Sequence, residues 1–258
     1  MLTPEDWHAR FSTQASWTET VRRYLTADIN LDPAANILDV GCGTGVLFPF
    51  FNEIFPAADL FGLDLNPDFL RLAASHSQAA LIEGDAYQLP FATGTFAMVY
   101  CHYFLLWLTG KEFVLKEIFR ILQPGGVFLV LAEPDHFGRI DYPEKLAELG
   151  RLQTQALTAQ GIDPAAGRKV AALLHQAGFD QVMTGVIGSE WRQQPDLKQL
   201  ASEWRILRYD LRDRLSAEQL AQLQHLDEQA WQAGMRILYV PTFFARANKP
   251  VGRTNPAY

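Results

Sequence analysis

From residue 36 onward, short apolar runs alternate with stretches whose apolar positions recur every three or four residues, the pattern of βα units that build a parallel sheet. Five strands are predicted, over Asn36–Val40, Leu60–Asp64, Ala80–Glu83, Phe96–Cys101 and Val127–Leu131. Before the fifth, Phe113, Leu115, Ile118, Phe119 and Leu122 mark the buried face of a helix over Gly110–Leu122, which Pro124-Gly125-Gly126 stops. Further helices are predicted over Tyr142–Ala159 and Ala166–Ala177, then a sixth strand over Phe179–Val186. Two amphipathic helices near Asp196–Asp213 and Ala217–Gln232 precede a seventh strand over Ile237–Ala245, and from Lys249 the pattern is that of a loose tail. Ahead of the first strand, Trp7, Phe11, Trp17, Val21 and Leu25 predict one helix over Pro4–Leu25, capped by Thr3-Pro4-Glu5-Asp6. It reads either as a helix packed on the core or as a lid over a ligand.

At 258 residues, 48% hydrophobic and 20% charged, the chain suits one α/β domain. The expected layout is a core over about residues 30–187 and 235–248 with a helical cap from 1–29 and 188–234. No apolar run approaches the roughly 18 residues of a membrane span, and Met1-Leu2-Thr3-Pro4-Glu5-Asp6 lacks the pattern of a signal peptide. A cytoplasmic protein is expected. Cys42 and Cys101 show no metal-ligand spacing and are expected as reduced thiols. The net charge of -7 includes no basic stripe, which argues against nucleic acid, because phosphate neutralisation supplies most of that affinity.

The first strand runs straight into Gly41-Cys42-Gly43-Thr44-Gly45. Glycine at alternate positions lets backbone approach a ligand that side chains would keep away. Val46 stands where a dinucleotide-binding loop wants its third glycine, and no Lys-Ser or Lys-Thr follows as in a phosphate-gripping loop. The run Asp39-x-Gly41-x-Gly43-x-Gly45 instead resembles the first motif of class I S-adenosylmethionine-dependent methyltransferases. Asp64 at the end of the second strand, Asp85 in Gly84-Asp85-Ala86, Leu89-Pro90-Phe91 and Leu122-Gln123-Pro124-Gly125-Gly126 resemble the same family. The sequence departs from it in Phe96-Ala97, where the fourth strand commonly opens Phe-Asp. Tyr100-Cys101-His102-Tyr103 stands where base-methylating enzymes carry Asn/Asp-Pro-Pro-Tyr/Phe.

The resemblance implies a three-layer α/β sandwich with a seven-stranded, mostly parallel Rossmann-like sheet, the seventh strand antiparallel, and S-adenosylmethionine as cofactor. It implies that Gly41, Cys42, Gly43 and Gly45 admit the methionine part and ribose, with Asp39 near the ammonium. Asp64 and Leu65 would hold the ribose and one adenine face, Asp85 and Ala86 the adenine edge, and Cys101 and His102 would flank the sulfonium.

Methyl transfer needs an aligned nucleophile, and a general base only when that nucleophile must lose a proton. His102 is the first candidate base, with contact to the cofactor as its other reading; Glu133, Asp135 and His136 follow. Tyr103, Trp107, Trp191 and Tyr239 are candidate aromatic walls for the acceptor. Arg205, Arg208 and Arg212 share one side of a cap helix, either solvated or turned toward an anionic acceptor. No metal is expected, since Glu133 and Asp135 have no evident partner. The expected activity is methyl transfer to oxygen or carbon of a small molecule. The alternatives are transfer to a protein side chain and a cofactor-binding scaffold. The oligomeric state is not legible.

Overall fold

The computed structural model describes residues 2–188 and 197–252. Its chain begins with helix α1 (Pro4–Trp17), closed at its start by reciprocal hydrogen bonds between Thr3 and Asp6, and continues with α2 (Glu19–Thr26). The single helix expected here is broken at Thr18. Its hydroxyl and N–H bond back to the carbonyl of Ala15, and the chain turns there.

Strand β1 (Asn36–Val40) is followed by α3 (Phe48–Ile54), β2 (Asp59–Asp64), α4 (Pro67–Ala74), β3 (Ala80–Glu83), β4 (Phe96–Cys101), α5 (Lys111–Ile121) and β5 (Leu122–Pro134). After β5 come a short strand β6 (Ile140–Tyr142), α6 (Ala147–Ala159), α7 (Ala166–Gln176) and β7 (Asp180–Ile187). The chain closes with α8 (Leu197–Leu211), α9 (Ala217–Gln232), β8 (Ile237–Tyr239) and β9 (Thr242–Asn248). Seven strands form one sheet in the order β3-β2-β1-β4-β5-β9-β7. The first five are parallel neighbours, and β9 runs antiparallel between β5 and β7. The expected seventh strand is therefore two: Pro241 separates β8, which leaves the sheet to pair with β6, from β9. Lys249 is no loose tail either, its ammonium donating to the carbonyl of Leu122 at 2.7 Å.

Alternation along buried parallel strands sends successive residues to opposite faces. Leu38, Val99, Phe128 and Val130 meet Val114, Leu115 and Ile118 of α5 and Val170 and Leu174 of α7. Ile37, Met98, Tyr100 and Leu129 meet Leu25 of α2 and Phe48 and Phe51 of α3. The result is the expected sandwich of helices on both faces of the sheet. In β2, Gly62 has no side chain because α3 has taken the space. A Cβ there would stand 2.6 Å from the Phe48 ring and 2.9 Å from the Cys42 sulfur.

Over the carboxyl ends of the strands, α6, α8 and α9 enclose a smaller core around Leu149, Trp204, Leu207, Leu211 and Leu220. Its polar seam is Arg236, which reaches Asp227 at 2.5 Å and Asp141 at 2.7 Å, while Trp204 donates to the other oxygen of Asp227 at 2.8 Å. Arg236→Met leaves the buried Asp227 without its cation and Asp141 with Arg139 alone, and a loss of about 3–5 kcal/mol is expected in urea unfolding.

Candidate functional site

The order of the sheet reverses between β1 and β4, and the strand ends on either side of that point open into a cavity of about 1560 Å³. Gly41, Cys42 and Gly43 line it after β1, Asp64 and Leu65 after β2, Asp85 and Ala86 after β3, and His102 and Tyr103 after β4. The two loop glycines there have φ of +75° and +52°, which only a residue without Cβ adopts readily. A Cβ on Gly41 would overlap the Phe104 ring, and one on Gly43 would stand 3.0 Å from Phe11 of α1. Gly45 does not line the cavity. Its φ of +74° and the approach of Phe48 at 2.8 Å make it the point where the loop packs onto α3, correcting its expected place at the ligand.

Asp64 is fixed by the loop it faces. One carboxylate oxygen accepts from the N–H of Gly43 and the other from the N–H of Asn66, both at 2.8 Å. Burial still raises its pKa, against those N–H groups. Asp39, 2% exposed, is raised well above the usual carboxylate range by burial first and by the charge of Asp64 second. Asp85 accepts from the N–H of Tyr87 at 2.9 Å and holds the turn after β3.

His102 sits behind this cluster with Nε2 3.0 Å from the hydroxyl of Thr18. Burial, then Arg22, push its pKa down to about 3. The ring is therefore neutral at physiological pH and too weak a base to compete with water-exposed groups, which favours the cofactor-contact reading over the base. Cys101 is fully buried in the core beneath β4, on the side of Val99, and does not reach the cavity.

Glu133 is not a cavity group. Its fully buried carboxylate accepts from the N–H groups of Phe104, Leu105 and Leu106 at 2.8, 2.7 and 3.1 Å. Asp135 likewise turns away, capping Phe137 and pairing with Arg168 at 2.5 Å. His136 does line the cavity. Its pKa is lowered to about 4 by burial, then by Arg139 and Arg10.

Tyr103 and Trp107 both line the cavity, Tyr103 at a φ of +51°, a strained conformation for an aromatic residue. The hydroxyl of Tyr239 instead donates to the carbonyl of Ile187 at 3.1 Å, outside the lining. Trp191 lies outside the described residues. Arg205, Arg208 and Arg212 face outward and bond to Asp6, Gln224 and Tyr209.

Sequence reasoning missed the far half of the cavity, to which Arg10, Arg139, Gln153, Glu203, Asp210 and Trp231 contribute. They come from five separate stretches, Glu203 and Asp210 sharing α8, with no local motif to join them. The expectation of a lid gains contacts: His8 of α1 bonds to Thr44 of the glycine loop at 2.9 Å, and Arg10 pairs with Glu203 of α8. Among the described residues no group of three or more His, Cys, Asp or Glu is placed to hold a metal ion.

A doubly wound sheet with an open glycine loop after β1, and after β2 a carboxylate gripped by that loop, defines a Rossmann-like nucleoside-binding enzyme. Residues 38–130 match the family model described as a methyltransferase domain. A demethylmenaquinone methyltransferase of Bacillus licheniformis is 32% identical over 195 residues, covering 67% of this chain and 80% of that protein. An uncharacterized methyltransferase of Schizosaccharomyces pombe is 31% identical over 147 residues, which span only 52% of its length. Among solved structures, geranyl diphosphate methyltransferase in complex with GPP and sinefungin aligns with a TM-score of 0.57 at 15% identity, covering 90% of this chain and 77% of that one. The chain belongs to the class I S-adenosylmethionine-dependent methyltransferases, and S-adenosylmethionine is its cofactor.

Burial pushes the pKa of Glu133 from 4.5 up to about 7 despite its three N–H partners. The folded protein thus holds this proton more tightly than the unfolded chain. The stability it contributes is present below about pH 4.5 and is lost as pH rises through about 7. Glu133→Ala should remove that pH dependence and cost about 3 kcal/mol by orphaning buried N–H groups, as read from urea midpoints across pH.

Proposed function

We propose that this enzyme transfers a methyl group to carbon or oxygen of a predominantly apolar small molecule, in the cytoplasm. The observation that carries the reading is the cavity. It runs without interruption from the glycine loop past His102 and Tyr103 into a chamber whose apolar wall is Leu149, Leu157, Trp204, Leu207 and Val240 and whose charged groups, Arg10, Arg139 and Glu203 among them, are mostly paired with one another or with neighbouring side chains. Its 1560 Å³ exceeds the roughly 300–1,000 Å³ of a single small-molecule pocket, as a cofactor plus a bulky acceptor require. The B. licheniformis relative is named for methyl transfer to demethylmenaquinone, an acceptor of this chemical kind.

The residues present fit the cofactor. Gly41 and Gly43 leave bare backbone where a nucleoside and amino acid must pass. Asp64, with both oxygens already oriented by N–H groups, has lone pairs left for two ribose hydroxyls. Asp85 and Ala86 take the adenine edge, Leu65, 69% exposed, one adenine face, and Asp39 with Cys42 the methionine end. When bound, S-adenosylmethionine supplies a methyl on a sulfonium, already activated for displacement. The chain's own task is to align the acceptor and exclude water. Tyr103 and His102 form the wall between the two half-sites, and α1 closes it. Because His102 is neutral and weakly basic, it is assigned to the wall rather than to proton removal.

Asp64→Ala should weaken S-adenosylhomocysteine binding by on the order of 100-fold, the loss of two hydrogen bonds to a charged group, measured by calorimetry. His102→Ala should weaken the same binding, whereas a base would lose turnover alone. Release of S-adenosylhomocysteine on adding a demethylnaphthoquinol tests the reaction. Turnover with protein acceptors and none with apolar small molecules would overturn the reading.

A further inference from the structure

The far half of the cavity is rich in charge, yet nearly every charged group there is already answered by another. Arg10 is paired with Glu203. Arg139 holds Asp141 at 2.6 Å and the amide oxygen of Gln153 at 2.6 Å. Arg236 holds Asp141 and Asp227. Asp210 is different. One of its oxygens accepts from the amide nitrogen of Gln153 at 3.0 Å, and the other has no hydrogen-bond partner among the described residues.

Its setting is built rather than incidental. Asp210 lies seven residues after Glu203 on α8, so both reach the same cavity, beside the buried Trp204, Leu207 and Leu211. Arg139 occupies the amide oxygen of Gln153, which forces the amide nitrogen toward Asp210 and fixes which carboxylate oxygen remains open. Burial raises the pKa of Asp210, with Gln153 and Arg10 acting against it. A half-buried acceptor with one unfilled oxygen, beside the apolar Trp204 and Leu207 and among charges that are already paired, gains most from a ligand that donates a hydrogen bond.

We propose that Asp210 recognises the methyl acceptor: its open carboxylate oxygen takes a hydrogen bond from a hydroxyl on an otherwise apolar molecule and rejects a carboxylate or phosphate at that position. Proximity to Arg10 favours a neutral hydroxyl over an ammonium. The inference rests on the apolar small-molecule reading above and adds which polar group that molecule carries.

The test uses the full chain saturated with S-adenosylhomocysteine and three probes of equal ring size: 2-naphthol, 2-methoxynaphthalene and 2-naphthoate. Dissociation constants are read by fluorescence. The wild type should bind 2-naphthol roughly tenfold or more tighter than 2-methoxynaphthalene, with 2-naphthoate weakest. In D210N the amide oxygen takes the Gln153 donor and the NH2 faces the cavity. The naphthol preference should then collapse, and 2-naphthoate should gain. D210A should lose the naphthol preference and relieve the rejection of 2-naphthoate, though by less than D210N, which also adds a donor, and S-adenosylhomocysteine affinity should stay unchanged in both variants. Should D210A not fold, the isosteric D210N carries the comparison. Equal binding of naphthol and methoxynaphthalene by the wild type, or an undiminished preference in D210N, overturns the role of Asp210 and leaves the small-molecule reading standing. Failure of all three probes to bind overturns both.

Discussion

The register of β1 against β4 is the constraint from which the rest follows. Leu38 pairs with Val99 and Asp39 with Tyr100, so the two strands end side by side and their exit loops face each other across one gap. Helices cover both faces of the sheet, and burial on both sides makes a slip of one residue exchange the two cores. That rigidity lets a glycine loop and a carboxylate from different strands meet at 2.8 Å without any covalent tie. Glu133 on the neighbouring β5 performs the same service for the β4 exit, gathering three successive N–H groups and so setting where Tyr103 stands.

Electrostatically the cofactor half is a collection of acids held out of water. Burial raises both Asp39 and Asp64, and the charge of Asp64 raises Asp39 further, while Arg22, itself lowered to about 10 by burial, stands behind them with His102. Arg22 is occupied by the hydroxyl of Thr18 and the carbonyl of Ala15, both at 2.6 Å. The break between α1 and α2 therefore has an electrostatic origin as well as a geometric one. It brings a hydroxyl and a carbonyl to a buried guanidinium that would otherwise lack acceptors.

The cofactor half was legible in the sequence because each of its residues sits within a few positions of a strand end, and strand ends can be read from period and glycine. Asp39, Asp64, Asp85, Gly41 and Gly43 all line the cavity, and placing them there needed no long-range information. Cys101, which the resemblance places beside the sulfonium, instead packs in the core, on the same face of β4 as Val99 two residues before it. Glu133 and Asp135 were misplaced for another reason. The turn over Leu105–Trp107 folds back onto the end of β5, and no local pattern announces that one loop's N–H groups consume another strand's acid. The far half of the cavity draws on α1, α6, α8 and α9, whose mutual placement is fixed by side-chain packing and paired charges. A single sequence carries no period that links Gln153 to Asp210.

Gly62 shows how far residue positions share their volume. The space that belongs to the middle of β2 is filled by Phe48 and by the sulfur of Cys42, one from a helix and one from the glycine loop. Positions 42, 48 and 62 thus behave as a single packing unit with a fixed total size, and bulk gained at one must be surrendered at another. Because Cys42 is a member of that unit, the height of the loop above the sheet is set from below, by an absence in a neighbouring strand. Substitution at a buried position with no ligand contact would tilt the floor on which the nucleoside rests.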